Sequence, residues 1–238
     1  HLAIFLPVEL WEGGTERFLE RIREDRKRWE TSLQETLEKR TTADQIWITD
    51  PHGAESSICG KSLQEIAADR NKPPAVTAID LLLDSGGHVQ IAAVQMNEEE
   101  TERILSHAFC FFGSDASVYA PYGVLGKRRP HPRAYGSSAR FLGEYILNRK
   151  PNRKIDSLEN AVRRMTSAPA EYLGLSDRGR IAKGLKADIV VFDPVNLRDN
   201  ARYGDPHHYP SGIDWVVING RIVIDQGKHT GERWGEVV

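Results

Sequence analysis

The feature that most constrains the fold is an apolar run that ends abruptly in a carboxylate. Residues 108–112 read Ala-Phe-Cys-Phe-Phe and are followed by glycine, serine and Asp115. The run lacks the alternation of apolar and polar residues of a half-exposed strand, so it predicts a strand buried on both faces, as in a parallel sheet. Asp115 would then lie at the carboxyl end of that strand, where active sites form in barrel and open α/β folds. The alternative is that Asp115 caps the following turn.

Strand-like and helix-like segments alternate around this run. The strand-like segments are 45–49, 88–96 and 108–112, and segments with helical periodicity separate them. This order is typical of βα units and a parallel sheet. Three strands are too few to close a barrel of eight, so a barrel would need about as much chain again upstream of His1.

Two helix starts in this part are marked by capping residues. Ser62 and Glu65 form a capping-box pattern, in which each side chain satisfies the other's free backbone N–H. Asn97 precedes a helix predicted over 98–105, whose first turn is acidic and therefore suits the positive end of the helix dipole.

The last part of the chain changes character and predicts a small β-module. Its strand-like segments are 187–192, 215–218 and 221–225. Asn219 and Gly220 join the last two, and Asn-Gly is the strongest short signal for a hairpin turn. We therefore predict a division between residues 1–178 and residues 179–238.

A loop of about 20 residues follows Asp115, and loops of that length are usually functional or disordered. Its aromatic and basic residues are Tyr119, Tyr122, Lys127, Arg128, Arg129, His131 and Arg133. A basic, aromatic loop beside a carboxylate suits a small, negatively charged substrate. A solvated basic loop is the alternative interpretation.

The overall composition predicts a soluble, cytoplasmic protein. The net charge of −2 gives no bias toward nucleic acid or an anionic membrane. No apolar stretch approaches the ~20 residues that span a bilayer, and the two cysteines do not suggest a disulfide scaffold. Because the chain opens on His1 without a leader, we expect it to be a fragment or a processed piece.

Several motifs make the chain resemble a known family. Segments 165–175, 178–193 and 217–223 resemble the end of metal-dependent amidohydrolases in general. More specific are Phe-Gly-Ser-Asp at 112–115, His-Pro-Arg at 131–133, Asp-Pro-His-His-Tyr-Pro at 205–210 and His-Thr-Gly at 229–231. Together they resemble the N-acyl-D-amino-acid deacylase (D-aminoacylase) branch of that superfamily, and correspond to its C-terminal half.

The resemblance implies an α/β fold with the later βα units of a (β/α)₈ TIM-like barrel in residues 1–178. Residues 179–238 would be the C-terminal share of a small β-sandwich completed by a missing N-terminal segment. The implied activity is zinc-dependent hydrolysis of the amide bond of N-acyl-D-amino acids. Asp115 would accept a proton from zinc-bound water, whose pKa zinc lowers toward ~7, and return it to the leaving amine. Asp115 is also a candidate for a secondary metal ligand.

The main metal ligands that the family uses are expected to be absent from this chain. Its eight histidines include no His-x-His pair, only the adjacent His207 and His208, for which we predict a structural or surface role. Cys110 is predicted to lie in the core, and Cys59 is a weak candidate for a ligand. Zinc sites usually need three protein ligands, so we expect no zinc bound by this chain alone and no activity without the missing half.

Arg133 is the candidate for binding the substrate carboxylate, because a guanidinium can grip it in two places. Pairing of Arg133 with a barrel carboxylate is the structural alternative. His131 is a second candidate, for orienting the loop or touching the substrate. The expected partners are a small N-acyl amino acid and either a second copy of the chain or the missing N-terminal half, through exposed sheet edges and helix faces. Nucleic acid and membranes are not expected partners.

Two other functions stay open at this point. Cyclic-amide amidohydrolases such as dihydroorotase and hydantoinase share the general tail motif. A non-catalytic half-barrel that serves for binding or oligomerisation is the second alternative.

Overall fold

The computed structural model describes residues 1–147 and 155–237. Its contacts divide the chain into two compact units whose segments interleave along the sequence. The first unit consists of His1–Gln95, Val118–Pro132 and Arg202–His207, and the second of the described parts of Met96–Ser117, Arg133–Ala201 and His208–Val238. Both units contain helices and short strands, which confirms the predicted α/β class.

The first unit packs four helices and two strands around an apolar core. These elements are α1 Gly14–Glu24, α2 Arg26–Arg40, β1 Ile46–Asp50, α3 Leu63–Asp69, α4 Pro74–Asp84 and β2 Gln90–Ala93. The predicted capping box is present: the N–H of Glu65 donates to the Ser62 hydroxyl, and the N–H of Ser62 donates to the Glu65 carboxylate. Fully buried side chains from most of these elements form the core, including Phe18, Ile22, Leu33, Ile46, Ile66, Ile79 and Leu82.

The sheet of the first unit differs from the sequence prediction. Strands β1 and β2 pair antiparallel, with Ile46 opposite Ala93 and Ile48 opposite Ile91. The predicted parallel arrangement is therefore wrong for this pair. The connection contains two helices, α3 and α4, and the chain re-enters beside β1 in the opposite direction.

The predicted strand at residues 108–112 is also absent, and the segment forms a turn followed by chain without regular secondary structure. The side chains of Phe109 and Phe111 are 87% and 41% exposed, so the run is not buried on both faces. Phe112 packs against the core, stacked on Phe141 with the ring centroids 4.9 Å apart. The prediction was wrong because an apolar run becomes a strand only beside another strand that accepts its backbone hydrogen bonds. Among the described residues, the element that hydrogen-bonds to this run is a helix, Leu158–Met165, instead of a strand.

The second unit joins four helices to a four-stranded sheet. Its elements are α5 Glu98–Leu105, α6 Arg133–Arg140, α7 Leu158–Met165, α8 Ser167–Tyr172, β3 Ile189–Phe192, β4 Ile213–Ile218, β5 Arg221–Asp225 and β6 Lys228–His229. Helix α6 continues directly into a π-helical turn over Phe141–Ile146. The core of the unit includes Phe141, Tyr145, Ile146, Ala161 and Leu197.

The four strands pair antiparallel in chain order, β3 to β6. Asn219 and Gly220, with φ of +50° and +78°, make the predicted hairpin turn between β4 and β5. Large apolar side chains on this sheet are exposed to solvent: Val190 is 55% exposed and Ile222 is 48% exposed. Among the described residues, no helix combines the length and hydropathy that crossing a bilayer requires.

Candidate active site

Asp115 directly follows segment 108–114 and has an unusual backbone conformation. Its φ is +50°, in the left-handed region that few residues other than glycine adopt. The side chain is 87% exposed, and its Oδ2 atom lies 2.8 Å from Nη1 of Arg133. The carboxylate is thus accessible and in contact with one cation.

Arg133 is the first residue of α6, directly after Pro132. Proline disfavours a helical conformation in the residue before it, so a helix begins readily just beyond it. The Arg133 side chain is 45% exposed and shares the second unit with Asp115. The structure therefore brings together two of the three predicted site residues. It also shows the pairing of Arg133 with a carboxylate that the structural alternative anticipated.

His131 belongs to the first unit, where it sits in an aromatic cluster. Its Nε2 atom lies 2.8 Å from the Tyr203 hydroxyl, and the two rings meet edge to face at 4.9 Å. Tyr203 in turn stacks on Trp47, with the ring centroids 4.6 Å apart. These contacts fix the orientation of the imidazole and anchor the end of the long loop.

The basic part of the long loop is attached to the end of β1. Arg128 Nε lies 2.8 Å from Oδ2 of Asp50, and the backbone N–H of Arg129 donates to the Thr49 carbonyl at 2.9 Å. The loop and the β1 end enclose an open cleft of about 600 Å³. Its lining includes Asp50, His52, Cys59, Val124, Lys127 and Arg128. The loop thus carries its positive charge on a defined surface instead of as a freely solvated segment.

The described residues do not form a metal site by themselves. Within 1–147 and 155–237, no group of three or more histidine, cysteine, aspartate or glutamate side chains is arranged to hold a metal ion. The thiol of Cys59 lies 3.3 Å from the Thr49 carbonyl, and burial raises the pKa of that thiol. A metal ligand needs the thiolate, so this environment does not suit the role.

Sequence reasoning missed Arg164, which is almost fully buried in α7 with 1% of its side chain exposed. The apolar Val162 of the same helix is 38% exposed, whereas the charged Arg164 occupies a buried position. The available signal was spacing, since Arg164 lies three residues after the buried Ala161, on the same helix face. Charged residues are almost never fully buried unless paired, so such a position is rarely assigned to arginine.

Comparisons with known proteins agree with the motifs. The family model described as "Amidohydrolase family" matches residues 110–224. An N-acyl-D-glutamate deacylase from Alcaligenes xylosoxydans xylosoxydans is 40% identical over 190 residues, which are 77% of this chain and 35% of that protein. A D-aminoacylase from the same organism is 33% identical over 181 residues, which are 76% of this chain and 34% of that protein.

A solved structure with the same fold supports this similarity. It is the N-acyl-D-glutamate deacylase of Bordetella bronchiseptica, complexed with zinc and a phosphonate inhibitor that mimics the tetrahedral intermediate. The match has a TM-score of 0.62 at 34% identity and covers 79% of this chain and 36% of that one. The present chain spans about a third of the length of the curated relatives above. Over about three quarters of its length, the chain is therefore similar to N-acyl-D-amino-acid deacylases, and residues 110–224 match the amidohydrolase family.

Proposed function

We propose that this chain carries the proton-transferring carboxylate and the substrate-binding guanidinium of a hydrolase that cleaves the amide bond of N-acyl-D-amino acids. Asp115 is the first group and Arg133 the second. The observation that carries the proposal is the 2.8 Å contact between Asp115 Oδ2 and Arg133 Nη1.

This pairing matches the chemistry of the substrate. In an N-acyl amino acid, the carboxylate and the amide nitrogen are attached to the same carbon atom. A substrate that binds Arg133 through its carboxylate therefore presents its amide nitrogen close to any group beside that guanidinium. Asp115 is such a group, and a carboxylate within hydrogen-bond reach can deliver a proton to the departing amine.

The exposure of the pair allows the substrate to replace Asp115 at Arg133. Side chains that are 87% and 45% exposed form an ion pair in high dielectric, where such contacts contribute little stability. A substrate carboxylate can take over the guanidinium in a two-point contact. Asp115 Oδ2 then loses this partner and is available to accept a proton from the attacking water molecule, which it delivers to the nitrogen of the departing amine.

Zinc is the metal that we propose for the active enzyme, because the N-acyl-D-glutamate deacylase of B. bronchiseptica forms a complex with it. When bound, zinc activates a water molecule for attack on an amide carbonyl. The described residues do not fit a zinc site on their own, since no group of three potential ligands is present within them. The roles proposed for this chain are therefore carboxylate binding and proton transfer.

For the architecture, we propose that residues 1–178 contribute the later βα units of a (β/α)₈ barrel and residues 179–238 part of a β-sandwich. All four strands of the antiparallel sheet lie within the second segment. The exposed apolar side chains of that sheet, such as Val190 and Ile222, support a second layer that covers them.

The test is the release of free amino acid from N-acetyl-D-glutamate and related N-acyl-D-amino acids by the natural polypeptide that carries this sequence. We expect Asp115→Asn to lower kcat by about 10²–10⁴-fold, the range of general acid–base catalysis. Asp69→Asn is the matched control, because Asp69 is also exposed and ion-paired, with Lys61 at 2.8 Å. It should leave kcat unchanged.

Three outcomes would contradict the proposal. Full turnover by the Asp115→Asn variant would remove Asp115 from the chemistry. Hydrolysis of dihydroorotate or hydantoin, without release of amino acid from acyl amino acids, would indicate a cyclic-amide hydrolase. Tight binding of N-acyl amino acids without turnover in the zinc-loaded polypeptide would indicate a binding module.

A further inference from the structure

We propose that Arg164 is a positioning residue that holds segment 108–114, the part of the chain directly before Asp115, and so sets the place of this carboxylate. The inference rests on the proposed function, since it assigns to Arg164 an effect on catalysis through Asp115. Arg164 does not act on the substrate itself. Its contacts are with the backbone ahead of the proposed catalytic residue.

Arg164 binds this segment at two points, with its side chain and with its own backbone. Its Nε atom donates to the carbonyl of Cys110 at 2.7 Å, and its carbonyl accepts the N–H of Phe112 at 3.3 Å. These bonds replace the ladder that a neighbouring strand would supply. The segment leading to Asp115 is therefore fixed by one residue of α7.

The guanidinium is itself held in place. Its Nη1 atom lies 3.1 Å from Oδ2 of Asp156, and its Cζ lies 5.8 Å from the centre of the Phe141 ring. Phe112 packs on the same ring. The side chain is 1% exposed, so few alternative positions are open to it. A buried, paired and stacked arginine is a rigid support for the chain that it binds.

The exposed end of the segment shows why this support matters. Asp115 is 87% exposed, and no core packing of its own side chain fixes its position. Its place depends on the backbone that leads to it. Displacement of a catalytic group by about 1 Å can lower turnover about 10²-fold.

The experiment compares Arg164→Met with Arg163→Met in the zinc-loaded natural polypeptide. Arg163 is exposed, lies next to Arg164 on α7 and donates to Asn160 at 3.1 Å, so it is a matched control. We expect Arg164→Met to lower kcat about 10–100-fold, with KM changed less than about threefold because Arg133 is untouched. The control should match the unmodified enzyme. Arg164→Lys, which keeps the charge and a donor, should restore part of the lost kcat.

A second measurement does not depend on activity. Hydrogen–deuterium exchange of the peptide that covers residues 108–115 should be faster in Arg164→Met and unchanged in Arg163→Met. If Arg164→Met does not fold, Asp156→Asn serves instead, because it weakens the hold on the guanidinium while leaving Arg164 in place. It should change exchange and kcat in the same direction by a smaller factor.

The double variant separates this inference from the proposed function. If Arg164 acts through Asp115, Arg164→Met should lower kcat no further in the Asp115→Asn background. An equal loss in both backgrounds would overturn the positioning role, as would unchanged exchange at 108–115 or a lysine variant no better than the methionine variant. Full turnover by Asp115→Asn alone would instead refute the proposed function, and the exchange experiment would still report whether Arg164 holds the segment.

Discussion

The Asp199 carboxylate occupies the space that a side chain at Gly136 would need. A Cβ atom built on Gly136 would lie 1.6 Å from Oδ1 of Asp199, far inside contact distance. The same Oδ1 accepts the N–H of Ala201 at 2.9 Å, which fixes the carboxylate where it is. Gly136 thus lets helix α6 pack closely on the loop that follows β3.

This close approach predicts a loss of stability for Gly136→Ala. We expect the free energy of unfolding to fall by about 1–3 kcal/mol, because either the helix or Asp199 has to move. Denaturant unfolding measures the change. Gly235→Ala is the control, since nothing lies within 4 Å of a Cβ at that position. Equal stability of the two variants would contradict the predicted overlap.

The ion pairs of Asp80 predict a pH dependence of stability. Burial favours a higher pKa, but hydrogen bonds from Lys72 and Arg26 outweigh it and lower the pKa of Asp80 below its ordinary value of 3.8. A carboxylate whose pKa is lowered in the folded state stabilises the protein at pH values above its ordinary pKa, here 3.8. This contribution is lost as the pH falls from that value through the lowered pKa. Asp80→Asn should therefore reduce stability by about 2 kcal/mol at pH 7.

Urea unfolding of the wild type and of the Asp80→Asn variant between pH 7 and pH 2 tests this expectation. The difference between wild type and Asp80→Asn should shrink as the pH falls below 3.8. Asp69→Asn should change stability by less than about 1 kcal/mol throughout, since the Asp69 side chain is 59% exposed. A constant difference for Asp80→Asn across the whole range would show that charge is not the source of its effect.

The Asp115–Arg133 pair should matter to catalysis without mattering to stability. Both side chains are exposed, so Arg133→Met should change the free energy of unfolding by less than about 1 kcal/mol. The same variant should raise KM about 10-fold or more for N-acyl-D-amino acids, because a charged hydrogen-bonding partner of the substrate is lost. A substrate analogue with a neutral amide in place of its carboxylate provides the control. If KM rises equally for that analogue, Arg133 does not bind the carboxylate.

The contact between Tyr203 and His131 predicts a small loss of stability that can be separated from the stacking of Tyr203 on Trp47. Tyr203→Phe removes the hydroxyl that lies 2.8 Å from Nε2 of His131 and should cost about 1 kcal/mol of stability. The stack on Trp47 stays, so tryptophan fluorescence should be unchanged, whereas Tyr203→Ala should alter it. Tyr172→Phe, at a side chain that is 78% exposed, should have no effect. Equal stability of Tyr203→Phe and wild type would rule out a role for this hydrogen bond.

Local signals in the sequence predicted local structure well. The helix expected over 98–105 is α5, with the Asn97 side chain accepting the N–H of Glu99 at 2.8 Å. The capping box at Ser62 and the Asn-Gly hairpin turn are also present. Each depends on hydrogen bonds or backbone angles within a few residues, so the information lies in the segment itself.

The apolar run at 108–112 failed as a strand prediction for the opposite reason. Whether such a run pairs depends on which elements lie beside it, and composition does not specify them. The neighbour is α7, whose buried arginine had no local signal beyond its spacing. For the candidate site, the family resemblance gave Asp115 its role, and the chemistry of the guanidinium made Arg133 the candidate for binding the substrate carboxylate. The structure showed that the two side chains touch. The sequence anticipated a carboxylate beside Arg133 but could not identify it as Asp115, because a long loop separates the two residues.

The left-handed backbone at Asp115 limits the amino acids that this position accepts. Glycine, asparagine and aspartate adopt a φ of +50° with little strain, whereas longer or branched side chains do so rarely. Glutamate would keep the negative charge yet strain the chain and carry its carboxylate farther from the turn. Of the two acidic residues, only aspartate therefore combines the required charge with the required backbone. Relatives that adopt the same turn should vary here between aspartate and inactive asparagine or glycine, and glutamate should not occur.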